Sequence, residues 1–395
     1  MPNLFGFAHF AMTDMPLTAL WLSAVYFFVK GLRDWRWSLA LAVVWGLALA
    51  TKFPAFLIPI PLLLWAHLYH RHSYHNNVFS MVFLSPIVMV SLQPYLWHET
   101  LPRLAVFFYD SVSRGFRWET NFAIFFFNKI YVTSIVPWYY PFFMTAVTIP
   151  ETILILFVIG LIAMIWPRPQ REAMILLLFN AVFILCMGLF PGAVLHDVNR
   201  LMLPALPFLV GLATCGFFVL AGYLTERCQA VVALQGIKQL RGKLIGGVFL
   251  LALFPPALDL FTYHPYELSY YNRLVGGVRG AYQRRLEVTY LMEALTPNFL
   301  QFLNRELPPH AVITVGDANY MFDYYQKENR LRHDIRITAG KDFDYNIFQN
   351  RQSTFSDFDR DLVTGVRPYK TVLLYGVPLI YVYKKDSLGA SLFSE

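Results

Sequence analysis

Ala11-Met12-Thr13-Asp14-Met15-Pro16 runs without a break into the apolar stretch Leu17-Thr-Ala-Leu-Trp-Leu-Ser-Ala-Val-Tyr-Phe-Phe-Val-Lys30-Gly-Leu32. A run of that length is close to what a helix needs to cross a bilayer. Asp14 therefore stands one turn ahead of a membrane helix, where water meets lipid. A carboxylate is costly to keep there and marks a candidate functional site. The alternative is local: Thr13 or Asp14 caps the helix, Pro16 occupies its first turn, and the negative charge suits the helix dipole.

Composition extends this reading to the whole chain. Of its 395 residues, 57% are hydrophobic, 17% aromatic and only 14% charged. Soluble domains are not built that way, and the fold class expected is a polytopic α-helical membrane protein. Apolar spans fall at roughly 16–32, 37–51, 53–69, 77–97, 148–166, 173–190, 200–222 and 244–261, about eight in all. The formal charge of +7 comes from basic residues scattered between these spans. No nucleic-acid-binding signature accompanies them, so orientation in a membrane explains the charge better. Cys186 and Cys215 lie in apolar runs and Cys228 in a basic loop, which specifies neither a disulfide framework nor a zinc site.

If every span crosses, Lys30, Arg33, Arg36, Arg71, Arg168, Arg171, Arg227, Lys238, Arg241 and Lys243 share one face. By the positive-inside rule that face is cytoplasmic. Asp14, Lys52, the segment 98–147, the loop 191–199 and everything after about 262 then face outward. The chain divides accordingly into a membrane region, 1–261, and a small extracytoplasmic α/β domain, 262–395. In the second part charged residues rise and long apolar runs stop. Leu291–Leu307 has helical periodicity, Ala311–Gly316 and Ile335–Thr338 read as strands, and Thr371–Leu374 with Leu379–Tyr383 reads as a hairpin.

Three features of the outward face carry chemistry. Thr51-Lys52-Phe53-Pro54 ends a short span, and Pro54 forbids a continuous helix. Lys52 then either lies inside a cavity or snorkels to the headgroups. His196-Asp197-Val198-Asn199-Arg200 precedes the span beginning at Leu201. Arg200 at a helix start opposes the dipole, so capping is not its role. An arginine beside a histidine at the surface suits a phosphate, and snorkelling with Asp197 as partner is the plainer reading. The aromatic and charged segment 98–147 suits helices lying in the interface plane, or aromatics packing over the spans. His70, Arg71, His72 and His75 form a histidine-rich patch with no adjacent carboxylate or thiolate, and no metal site is expected there.

Several stretches together resemble one family: Ala11-Met-Thr-Asp14-Met-Pro16, Leu49-Ala-Thr-Lys52-Phe-Pro54, Gln93-Pro-Tyr-Leu-Trp97, Val136-Pro-Trp-Tyr-Tyr-Pro141, Arg200-Leu-Met-Leu-Pro204 and His264-Pro-Tyr-Glu-Leu-Ser-Tyr-Tyr-Asn272. In this order they are similar to bacterial protein O-mannosyltransferases and aminoarabinose transferases, integral-membrane glycosyltransferases of GT-C architecture. The resemblance implies transfer of a sugar from a polyprenyl-phosphate donor to a lipid, glycan or protein acceptor on the outer face of the cell (inner) membrane. It implies Asp14 as the catalytic acidic residue and Lys52 and Arg200 as groups holding the donor phosphate, and His196 is expected to join them from its place beside Arg200. The expected partners are membrane lipid and the polyprenyl-phosphate sugar, with no nucleic acid, and a divalent metal is left open.

The family's usual first span and the acidic loop behind it have no counterpart ahead of Asp14. The expectation is therefore a fragment, a mis-started gene or a degenerate member; if the chain is complete as given, weak or absent activity is expected, with Glu99, Asp110 and Glu119 as candidate outward acidic substitutes. Two other readings fit the apolar spans: a lipid or sugar transporter or flippase, and a non-catalytic membrane scaffold. A transporter predicts inverted repeats with binding groups near the midplane. The ionisable residues gather at one surface instead.

Overall fold

The computed structural model describes residues 1–113, 122–132, 135–190, 193, 195–197, 200–231, 237–340 and 342–387. Two compact units emerge. The first comprises Met1, Asn3–Phe122 and Val132–Asp259; the second comprises Pro2, Ala123–Tyr131 and Leu260–Glu395.

Helices α1 (Pro2–Ala8), α2 (Asp14–Gly31) and α3 (Trp35–Thr51) open the chain. Asp34 caps α3, accepting the Arg36 N–H at 3.0 Å, and the basic turn around it reverses the chain between α2 and α3. A short 3₁₀ turn, Phe53–Leu57, leads into α4 (Pro59–Tyr69). The proline-driven break expected at Pro54 is there, because Pro54 and Pro59 cannot donate to a continuous ladder. Next come α5 (His75–Phe79) and α6 (Ser85–Leu92), joined by a π-helical turn over Ser80–Leu84. Then follow α7 (Thr100–Ser113), α8 (Tyr140–Thr148), α9 (Glu151–Ala163), α10 (Arg171–Met187), α11 (Leu206–Val231) and α12 (Ile237–Tyr263).

Each apolar stretch carries helix, yet eight crossings are not what lengths and compositions yield. Among the described residues His75–Leu92, Arg200–Glu226 and Ile245–Tyr263 are long and apolar enough to cross a membrane. The pair α8 and α9 makes a fourth only if it is one span, and it is bent by 119°. The bend at Ile149-Pro150 falls at the start of the stretch read as a span over 148–166, which holds the one helix α9. Helix α3 rises about 25 Å, short of the hydrocarbon core. The segment 98–147, read as interfacial helices or as aromatics packed over the spans, is helical only in part among its described residues. It contains α7, then a two-stranded sheet of β1 (Ala123–Phe126) and β2 (Lys129–Val132). Phe107 and Phe108 of α7 pack against Phe53 and Phe56, with Phe56 and Phe108 centroids 4.6 Å apart.

Close helix contact in the first unit relies on small residues and buried amides. Gly160 of α9 faces Leu212 of α11, and Gly216 of α11 faces Leu156 of α9, with backbone against backbone. Trp21 donates Nε1–H to Asn180 Oδ1 at 3.0 Å, tying α2 to α10. Ser38 donates to Asn77 Oδ1 at 2.6 Å, and Asn77 donates to the Phe28 carbonyl at 2.8 Å, tying α3 and α2 to α5. Outer helix faces carry exposed apolar side chains, among them Leu22, Val43, Leu64, Ile87 and Leu251, as a lipid-facing surface requires. At the end of the helices away from Asp14, His70 Nε2 meets Glu172 Oε1, and Trp65 Nε1–H donates to the Glu172 carbonyl at 3.0 Å. The carboxylate missing from the local histidine patch therefore arrives from a distant helix.

The second unit is built on a five-stranded mixed sheet ordered β4-β3-β5-β7-β6. Its strands are β3 (Val312–Thr314), β4 (Arg336–Ile337), β5 (Tyr345–Gln349), β6 (Lys370–Leu374) and β7 (Val377–Lys384). Strands β3, β4 and β5 run parallel, and β7 lies antiparallel to both β5 and β6. Tyr375 and Gly376, both at positive φ, close the β6–β7 hairpin. Helices α13 (Gly277–Gln283), α14 (Pro297–Glu306), α15 (Asn319–Lys327) and α16 (Asp357–Gly365) complete this unit. Its core joins Phe299, Leu303, Ile313, Phe322, Ile347 and Val382.

Candidate functional site

Asp14 is the first residue of α2, and its carboxylate does not cap the helix. The N-cap Thr13 likewise makes no side-chain capping bond. Asp14 is 3% exposed, and both of its oxygens meet cations. Lys52 Nζ lies on Oδ1, and Arg200 Nε donates to Oδ2 at 2.9 Å. The three groups are separated by 38 and 186 positions in the sequence.

Each arrives there for a local reason. The Thr18 hydroxyl donates to the Asp14 carbonyl at 2.8 Å and closes the first turn of α2. Lys52 is the C-cap of α3 in extended backbone, where the helix must stop before Pro54. A cation there complements the carbonyl end of α3, as an anion complements the amide end of α2. Arg200 opens a 3₁₀ turn, Arg200–Ala205, ahead of α11. That end of a helix repels a cation, and two carboxylates offset the repulsion. Besides Asp14, Asp197 Oδ2 accepts from Arg200 Nη1 at 3.2 Å. Asp197 sits at φ +53°, a backbone region that aspartate enters more readily than most residues, and its carbonyl accepts the Arg200 N–H at 3.1 Å.

His196 belongs to the same group. Its Nε2 lies 3.4 Å from Arg200 Nη1 and 3.6 Å from Asp197 Oδ2. Its ring stacks on Phe122 with centroids 4.7 Å apart. Asp14, Lys52, Arg200 and His196 therefore form one constellation with Asp197, a residue that the sequence marks only as the partner of Arg200. Chemically, two cations are fastened by one buried carboxylate and still have N–H groups to spare. The ammonium has three donors, and Arg200 Nη2 has no partner among the described residues. Such a pair of cations suits the oxygens of a phosphate.

Of the acidic substitutes, Glu99 and Asp110 lie among the described residues. Glu99, at φ +51°, is exposed, and Arg103 Nε lies 3.9 Å from its Oε2. Asp110 is exposed on α7, and Glu119 lies outside the described residues. No group of three or more histidine, cysteine, aspartate or glutamate residues is arranged to hold a metal ion among the described residues.

Asp14 and Lys52, two of the three central groups, both lie in the stretch that carries the likeness to known proteins. Residues 1–98 match the family of dolichyl-phosphate-mannose-protein mannosyltransferases. Over those residues the chain is similar to a membrane glycosyltransferase of the GT-C type, as the sequence motifs imply. The match runs from α1 to the turn after α6 and stops short of Arg200. No curated protein and no solved structure matches the chain.

Proposed function

We propose that this protein transfers a sugar from a polyprenyl-phosphate donor to a lipid, glycan or protein acceptor at the outer face of the cell membrane. The observation that carries the reading is the bridging of Asp14 by Lys52 and Arg200. The donor phosphate binds the N–H groups that those two cations turn away from Asp14, with His196 at the edge of the same group. The aromatic cluster of Phe53, Phe56 and Phe108 beside Lys52 suits the isoprenoid chain.

In the reaction the acceptor hydroxyl attacks the anomeric carbon. The bond from that carbon to the phosphate oxygen breaks, and the electron pair stays on the departing polyprenyl phosphate. Lys52 and Arg200 stabilise the charge gathering there, a type of contribution typically on the order of 100-fold or more per donor. The hydroxyl proton passes to an Asp14 oxygen as the cations shift their hydrogen bonds toward the leaving phosphate. Apolar walls at the lipid boundary strengthen each of these interactions.

Gathering of the charged groups at helix ends, not at helix centres, favours this reading over a transporter. The donor named in the matched family makes mannose the first sugar to test. With purified full-length protein and polyprenyl-phosphate mannose, Asp14→Asn is expected to abolish transfer by protein that still runs as a folded, monodisperse species in detergent. Lys52→Ala is expected to raise the donor KM about tenfold or more. Wild-type turnover by Asp14→Asn removes Asp14 from the chemistry.

A further inference from the structure

Arg200 is gripped on two edges by two carboxylates. Asp14 Oδ2 takes Nε at 2.9 Å, and Asp197 Oδ2 takes Nη1 at 3.2 Å. A guanidinium is a rigid planar fork, so two anchors on neighbouring edges fix its plane and the direction of its third nitrogen. That nitrogen, Nη2, has no partner among the described residues. With Asp14 as the lone anchor, the fork would pivot about a single hydrogen bond.

Charge points the same way. Asp14, Lys52 and Arg200 sum to one positive charge, which an anionic donor favours. Asp197, 5% exposed, cancels it. A buried carboxylate that works against anion binding needs another reason to stand there. It occupies a turn where its backbone holds a positive φ, and the same oxygen lies within 3.6 Å of His196 Nε2.

We propose that Asp197 is a positioning residue for the donor phosphate: it orients the Arg200 guanidinium so that Nη2 faces the phosphate oxygens. The proposal rests on the phosphate-site reading above. It makes a prediction opposite in sign to that of simple charge balance. Removing a negative charge beside an anion site by itself tightens anion binding; removing the anchor of a positioned donor weakens it.

The test uses purified full-length protein with farnesyl phosphate as probe, and its Kd is measured by titration. Asp197→Gly deletes the carboxylate without a penalty at positive φ and is expected to weaken binding about tenfold. Asp197→Asn keeps an acceptor oxygen for Nη1 and tolerates the same backbone, and it is expected to recover most of the affinity. In an Arg200→Lys background, Asp197→Gly is expected to leave binding level or slightly tighter, because lysine has no Nη1 to anchor and only the charge effect is left. Unchanged or tighter binding by Asp197→Gly overturns the proposal. So does an equal loss in the Arg200→Lys background, which marks a general structural role. Absence of farnesyl phosphate binding in the wild type overturns the phosphate-site reading itself, together with this extension of it.

Discussion

Single residues decide how costly charges are kept in this protein. A buried ion pair contributes little net stability, but deleting one partner strands a charge at a cost of about 3–5 kcal/mol. Asp14→Asn keeps the shape and one acceptor oxygen but not the charge, so some loss of stability is expected to accompany it, smaller than for truncation to alanine. Another buried carboxylate, Glu287, lies in the second unit. Glu287 is 5% exposed and receives the Ser353 N–H at 3.3 Å. Burial pushes its carboxyl up to about 7, against the opposing pull of Ser353 and Arg351. A carboxyl raised in the folded state stabilises the fold while it stays protonated. That contribution is fully present below the unfolded value near 4.5 and is lost as pH rises through about 7. The shift corresponds to stability on the order of 3 kcal/mol across this window. Glu287→Gln is thus expected to match the wild type at pH ~4.5 and to exceed it at pH ~8. Hydrogen exchange of the segment 284–296, compared between the two proteins at each pH, checks this. Equal protection at the higher pH would contradict the assignment.

At the scale of elements, helices α9 and α11 meet through glycine. A Cβ on Gly216 would lie 1.9 Å from the Leu156 carbonyl oxygen and 2.7 Å from the Gly160 nitrogen, both rigid backbone atoms. Gly216→Ala must separate the helices, a disruption worth about 1–3 kcal/mol or more. Gly222, on the same helix, has open space where its Cβ would go. Gly222→Ala is therefore expected to leave the melting temperature in detergent level or slightly raised, while Gly216→Ala lowers it by several degrees. A second element-scale point concerns β5. Its Tyr345-Asn-Ile-Phe-Gln349 sequence mixes amides with apolar residues and shows no alternation, yet it is the middle strand of the sheet. The amide side chains hide the strand in the sequence because Asn346 and Gln349 are buried there, against the usual preference.

For the whole molecule, the distribution of basic loops sets an expected sidedness. A cysteine introduced at Ser356 is expected to react with a membrane-impermeant maleimide in intact cells. One introduced at Arg33 is expected to react only after permeabilisation. The reverse pattern would invert the membrane topology and move the Asp14 constellation to the cytoplasmic face.

Hydropathy, the proline at 54 and the charge bias of the loops were enough to locate the apolar helices, the break after Lys52 and three ionisable residues out of place beside lipid. These are properties of neighbouring residues, and local sequence carries them. Tertiary structure alone decided that Asp14, Lys52 and Arg200 share one carboxylate, that Asp197 grips the same guanidinium, and that β5 lies at the sheet's centre. Those facts depend on how helices pack across separations of up to 186 residues, through close glycine contacts and buried amides whose partners no local pattern names.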